Sequence, residues 1–140
     1  MRFRNCIISN EITHAIKQVE KLLEVDSMMI KELQSKNDWK FNSGTAGEVI
    51  VKLLEEREPI NVYTYRPWNP FTKALGYYDG TAIHININKL DSFDFKELCG
   101  LLLHEYCHYA GFKHGNNYKT KEKCLYSVPY FLSENIDRWC

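Results

Sequence analysis

Three of the chain's five histidines fall in one string: His104-Glu105-Tyr106-Cys107-His108-Tyr109-Ala110-Gly111-Phe112-Lys113-His114. The string reads H-E-x-x-H-x-x-G-x-x-H, and each fixed position can do chemistry. Two histidines four apart on a helix point the same way, one turn above the other. Two neutral imidazoles so placed can hold one divalent zinc ion, and the glutamate beside the first can act as general base toward a water on that ion. Gly111 can adopt the left-handed backbone that ends a helix and turns the chain. That turn brings His114 back as a third ligand. A fourth position left to water is the arrangement of a catalytic rather than a structural site.

The histidines need a helix to align them, and the flanking residues supply one. Asp94 and Glu97 fit an N-cap and its capping-box partner. A helix over about 95–110 follows, stopped by Gly111. Leu98, Cys99, Leu101, Leu102, Leu103, Tyr106, Cys107 and Ala110 clothe it on all sides. A helix apolar all round is buried. Hydrogen-bonded core histidines are the competing reading of His104 and His108. Burying two imidazoles and a carboxylate is costly unless they are paired or bound to metal, and that cost favours a metal. Cys107 reads as a small buried hydrophobe rather than a ligand.

The string resembles the signature of the metzincin clan of zinc metallopeptidases. The resemblance implies His104, His108 and His114 as the ligands of one Zn2+ per chain and Glu105 as the general base. It implies an edge strand upstream of the helix that binds extended peptide, and a tight turn beneath the metal downstream. The eleven-residue match is the sharp part; a looser one runs over about 76–130. Small metallopeptidases of phage and bacterial origin show a similar pairing of such a helix with a Ser-Val-Pro-Tyr segment, so a phage-encoded protein in a bacterial host is one expectation. Metzincins carry a methionine in the turn. Here the methionines are Met1, Met28 and Met29, far upstream. The corresponding segment is Tyr126-Ser127-Val128-Pro129-Tyr130, where Val128 or Pro129 would supply the apolar floor. A tyrosine just after the turn serves astacin-type and serralysin-type enzymes, which implies Tyr130 as a second catalytic residue. Tyr126 and Tyr109 are its rivals.

A length of 140 residues bounds the chain to one expected domain with a modest core. Nine tyrosines, seven phenylalanines and three tryptophans can supply much of the buried area. Lys plus Arg equals Asp plus Glu at 18 each, so no global field invites nucleic acid or an anionic membrane. No apolar run approaches membrane-spanning length. The first ten residues lack the apolar core of a signal peptide. Cys6, Cys99, Cys107, Cys124 and Cys140 make an odd count without paired spacing, so free thiols in a reducing, cytoplasmic setting are expected.

Along the chain, the helical part spans about 10–57, the sheet about 60–88, the histidine helix about 95–110, and a turn with a short closing helix about 125–139. Asn10 reads as the cap of one amphipathic helix over about 11–35, with a break near Asp26. Thr45 to Glu48 is a capping-box pattern opening a helix to about Arg57. Residues 60–65 alternate as a strand. Segments 74–78 and 81–88 flank Asp79-Gly80, a hairpin signal. In the second segment Ile83, Ile85 and Ile87 would face the core, and His84, Asn86 and Asn88 would face outward. By resemblance Ile83, His84, Ile85 and Asn86 line the strand that pairs with substrate. An ordinary half-buried strand is the alternative. Gly115-Asn116-Asn117 and the run Lys119 to Lys123 read as a polar loop.

Together these readings give an α+β, zincin-like single domain: N-terminal helices, a small mixed sheet with an edge hairpin, a buried histidine helix and a C-terminal turn. The expected activity is zinc-dependent hydrolysis of a peptide or protein substrate. The alternatives are a zinc-bound but inactive module that binds a peptide or protein, and a zinc amidase acting on a non-protein amide. A DNA-associated protease is a further reading that the neutral charge argues against.

Overall fold

A side-chain oxygen starts every α-helix of the described residues. The computed structural model describes residues 1–7, 9–41, 43–92, 94–115 and 125–140. Ser9 caps α1 (Asn10–Leu22) by accepting from the Ile12 N–H. Ser27 caps α2 (Met28–Leu33), accepting from Ile30. Thr45 and Glu48 form the reciprocal capping box of α3 (Ala46–Leu54). Asp94 caps α4 (Phe95–Tyr109), and Ser127 caps α5 (Val128–Glu134). Each cap satisfies an amide that the helix cannot pair internally.

Two expectations shift accordingly. The first cap is Ser9, not Asn10, which lies inside the helix. The long helix over 11–35 is two helices, because Ser27 both caps α2 and donates to the Leu22 carbonyl at 2.6 Å, closing the end of α1. The third helix ends at Leu54 rather than Arg57, since Glu55 already turns extended ahead of Pro59.

Four strands form a mixed sheet: β1 (Phe3–Asn5), β2 (Ile60–Tyr65), β3 (Gly76–Tyr78) and β4 (Ala82–Asn86), in the order β1-β2-β4-β3. β1, β2 and β4 run parallel, and β3 closes the sheet antiparallel to β4. The architecture is therefore α+β, with five α-helices and a four-stranded mixed sheet among the described residues. Asp79-Gly80 makes the hairpin turn: Gly80 takes φ 97°, and Asp79 accepts from the Thr81 and Ala82 amides. Phe3, Ile60, Val62, Ile83 and Ile85 face the helices and are at most 2 % exposed. They join Ile12, Val19, Leu102, Leu103, Tyr106 and Leu132 in one core cluster. On the opposite face Tyr63, His84 and Tyr77 stack in a row, with ring centroids 5.8 and 4.8 Å apart.

The strand expected at the sheet's edge is interior. β4 is hydrogen-bonded to β2 on one side and β3 on the other, so Ile83, His84, Ile85 and Asn86 have no free backbone edge for a substrate. The edge is β3. Asn86 also departs from its expected exposure: it is fully buried, donating to the Ala74 carbonyl and accepting from the Asn88 amide. Ile87 is more than a third exposed, because the chain leaves the strand there for a 3-10 helix, Ile87–Ser92.

The expected tight turn at Ser127 to Tyr130 is the first turn of α5, followed by a 3-10 turn at Ile136–Arg138. Cys6, Cys99, Cys107 and Cys140 are free thiols; Cys124 and nearly all of the polar loop after Gly115 lie outside the described residues. No helix of the described residues is long and apolar enough to cross a membrane.

Candidate metal centre

α4 runs through the core with the sheet on one side and α1 and α5 on others. That placement explains its all-round apolar sequence and fixes its rotation. His104 and His108 leave it on one face, and their ring centroids lie 5.0 Å apart. Gly111 follows with φ 100°, a conformation that strains any residue with a Cβ, and a Cβ there would press on the Lys52 side chain at 3.1 Å. The reversal returns His114 to within 5.2 Å of the His104 ring and 4.8 Å of the His108 ring, centroid to centroid. Ligand atoms of the three histidines lie within 4.8 Å of one another. Closing them on one ion at about 2.0–2.1 Å requires only small ring movements.

Main-chain carbonyls orient all three rings. The His108 Nδ1–H donates to the Phe112 carbonyl at 3.0 Å, and the His114 Nδ1–H to Gly115 at 3.1 Å. His104 donates to the Pro129 carbonyl, the second residue of α5. Such a bond on one ring nitrogen sets the tautomer of the imidazole. Burial pushes the His104 pKa down to about 3, reinforced by the neighbouring His108 and His114, and burial also lowers His108. Both are neutral near pH 7, the form that ligates.

Glu105 leaves α4 toward the sheet and is 8 % exposed. Burial raises its pKa to about 7, against a hydrogen bond from the Tyr78 main-chain N–H that pulls it down. Tyr78 is on the edge strand. The hydrogen bonds Asn86 N–H to Leu75 and Asp79 N–H to Ala82 set the register: residues 75, 77 and 79 address β4, and 76 and 78 point away from it. Gly76 is needed for the fit, since a Cβ there would lie 2.6 Å from the His84 carbonyl oxygen.

Tyr130 is brought to the triad, with ring centroids 4.6 Å from His104 and 4.5 Å from His114. Its rivals are placed elsewhere. Tyr126 lies under Lys36 and Lys40, with the ammonium groups 5.4 and 4.6 Å from its ring. Tyr109 donates to the Glu58 carbonyl at 2.6 Å. Val128 and Pro129 are both buried, and Pro129 contributes its carbonyl to His104. Cys107 is fully buried, and desolvation pushes its thiol pKa up, so it stays a neutral packing group.

Two clefts meet at the histidines. One, about 480 Å3, lies between the edge strand and the α4 C-terminus and is lined by Tyr77, Tyr78, Glu105, His108 and Lys113 among others. The second, about 420 Å3, opens on the His104 side between α4 and α5.

The carbonyls of Phe112, Gly115 and Pro129 and the Tyr78 amide were not anticipated from sequence. Main-chain groups have no residue-type signature, and only the fold aims them. The latch on α5 is equally silent: Lys36 projects between Trp39 and Phe131, 4.8 and 4.6 Å from their rings, and the Lys40 amide donates to the Tyr126 carbonyl. Comparison of the chain with protein families, with characterised proteins and with solved structures gives no match.

Proposed function

We propose that this chain is a zinc-dependent peptide hydrolase with a minimal zincin-like, metzincin-type architecture. The observation that carries the reading is the convergence of His104, His108 and His114, each with its second ring nitrogen bonded to a main-chain carbonyl. Neutral imidazoles are borderline donors that suit zinc. When bound, zinc would supply Lewis acidity, polarising a carbonyl and making water more acidic.

The chain's own residues fit the remaining roles. Glu105, with its pKa near neutrality, accepts a proton from water and passes it to the leaving amine. An extended peptide pairs with the outward groups of β3 other than the Tyr78 N–H, which is held by Glu105, so that main-chain hydrogen bonds hold the scissile bond over the histidines. The Tyr130 hydroxyl stabilises charge that develops on the substrate carbonyl, from a ring seated against His104 and His114.

The test is metal content by elemental mass spectrometry for wild type beside His108→Ala, followed by turnover of a mixed peptide pool by wild type and Glu105→Gln. About one zinc per wild-type chain, lost in His108→Ala, with turnover lost but zinc kept in Glu105→Gln, is the expected result. No zinc in a zinc-supplied wild type would sink the reading. Zinc with no cleavage of any peptide would favour an inactive binding module or an amidase for non-protein amides.

A further inference from the structure

The cleft on the His104 side has a floor and a rim of different chemistry. Leu101, Ile136 and the backbone of Gly100 make the floor. Gly100 is buried where α4 meets the end of α5, and its missing side chain leaves room: a Cβ would sit 3.4 Å from the Ser133 carbonyl. Asp94, Glu97, Glu134 and Asp137 stand on the rim with one basic residue, Lys96. Lys96 is matched with Asp137 at 3.4 Å. Among the described residues neither Glu97 nor Glu134 has an ion-pair partner, and Asp94 is engaged only as the cap of α4. The cleft therefore carries a net negative charge over an apolar base.

Carboxylates on a surface are ordinarily just solvated. These stand over a hollow that reaches a proposed metal ligand, and Leu75 at its mouth leads directly into the edge strand. A peptide lying along β3 would drop one side chain into this hollow beside His104. A side chain with an alkyl stem and a cationic head matches both parts, since such chains lay their methylenes on apolar surface and keep the charge at its edge. The other cleft sets Lys113 beside Glu105 and so lacks this excess of negative charge.

We propose that the His104-side cleft is a specificity pocket that selects a lysine or arginine side chain next to the scissile bond. This rests on the peptide-hydrolase reading and names its substrate class. Glu97 and Glu134 are the specificity-determining residues, and neither touches the reacting atoms.

The experiment is binding, which needs no turnover. Zinc-loaded Glu105→Gln protein is titrated by fluorescence anisotropy with three neutral-background peptides that differ at one position: lysine, norleucine or glutamate. Lysine is expected to bind about tenfold tighter than norleucine, and glutamate weakest. The lysine advantage should shrink as salt rises from 50 to 500 mM. Adding Glu97→Gln and Glu134→Gln together should bring the lysine-to-norleucine ratio close to one. Equal binding of all three peptides, or preference for glutamate, overturns the pocket assignment. So does a lysine advantage that persists in the double variant. Charge preference in Glu105→Gln with no cleavage of the lysine peptide by wild type supports the pocket while removing the hydrolase reading, so the two failures are separable.

Discussion

The Tyr78 main-chain N–H donates to the Glu105 carboxyl, tying the edge strand of the sheet to the middle of the histidine helix. The bond favours the ionised carboxyl in a site that otherwise desolvates it. An acid whose folded pKa lies near 7, above an unfolded value near 4.5, holds its proton longer in the folded state. Its ionisation then works against folding as pH rises through that window.

Metal-stripped Glu105→Gln is accordingly expected to be more stable than metal-stripped wild type at pH 8, by up to ~3 kcal/mol. The gap should narrow below pH 7 and close near pH 4.5, where wild-type Glu105 is protonated in both states. Urea unfolding of the two proteins at pH 4.5, 6 and 8 reads it directly. A wild type more stable than the variant at pH 8 would mean that the carboxylate is well solvated or paired.

His104 works in the opposite direction. Its folded pKa is near 3 and its unfolded value near 6.5, so the unfolded chain takes up a proton that the folded chain refuses. In the metal-stripped Glu105→Gln background, stability should be intact above pH 6.5 and should fall steadily below it. His108, lowered by burial in the same sense, adds to the slope. Replacing His104 by Asn should flatten most of the loss. A midpoint in urea that stays level from pH 7 to pH 4.5 would contradict the burial of these rings. In the zinc-loaded protein the same protonation competes with ligation, so zinc retained after dialysis should drop over the same range.

The sequence shows best what is local. Thr45 with Glu48 and Asp79 with Gly80 are short-range devices that appear in the structure where their residues put them, and Asp94 caps α4 through the Glu97 amide without the Glu97 side chain returning the bond. The H-E-x-x-H-x-x-G-x-x-H spacing likewise brings its three histidines together, because a helix repeat and one left-handed residue suffice. What was misplaced depends on pairing across the chain. Alternation in 81–88 identifies a strand but cannot say which neighbours flank it, and β2 takes the side that a substrate was expected to fill. Asn86 has an outward position by alternation, yet the 74–75 segment folds over it and consumes its amide. The segment Ser127 to Tyr130 reads equally well as a tight turn or a helix start. Ser127 as a cap with Pro129 in the first turn decides for the helix.

Gly111 is the residue on which the third ligand depends. Gly111→Ala should destabilise the protein by roughly 1 kcal/mol or more, because alanine at φ 100° is strained and its Cβ would crowd Lys52. Relief of that strain moves Phe112, whose carbonyl orients His108, and His114 itself. Zinc affinity is therefore expected to weaken about 10–100-fold, the range seen when the partners that orient ligands are disturbed. Competition with a chromogenic chelator measures it. Unchanged affinity would show that His114 reaches the site without this turn.

Tyr130 can be tested for chemistry apart from packing. Tyr130→Phe keeps the ring that lies against His104 and His114 and removes only the hydroxyl. Zinc content and thermal midpoint should stay close to wild type. If the hydroxyl stabilises charge on the substrate carbonyl, kcat should fall on the order of 100-fold with little change in KM, since the bond is made mainly in the transition state. Tyr130→Ala would add the loss of ring packing, and with it zinc affinity. A phenylalanine variant with wild-type kcat assigns Tyr130 to the floor of the site, the place that Val128 or Pro129 was expected to occupy, and leaves zinc and the β3 backbone to carry the developing charge.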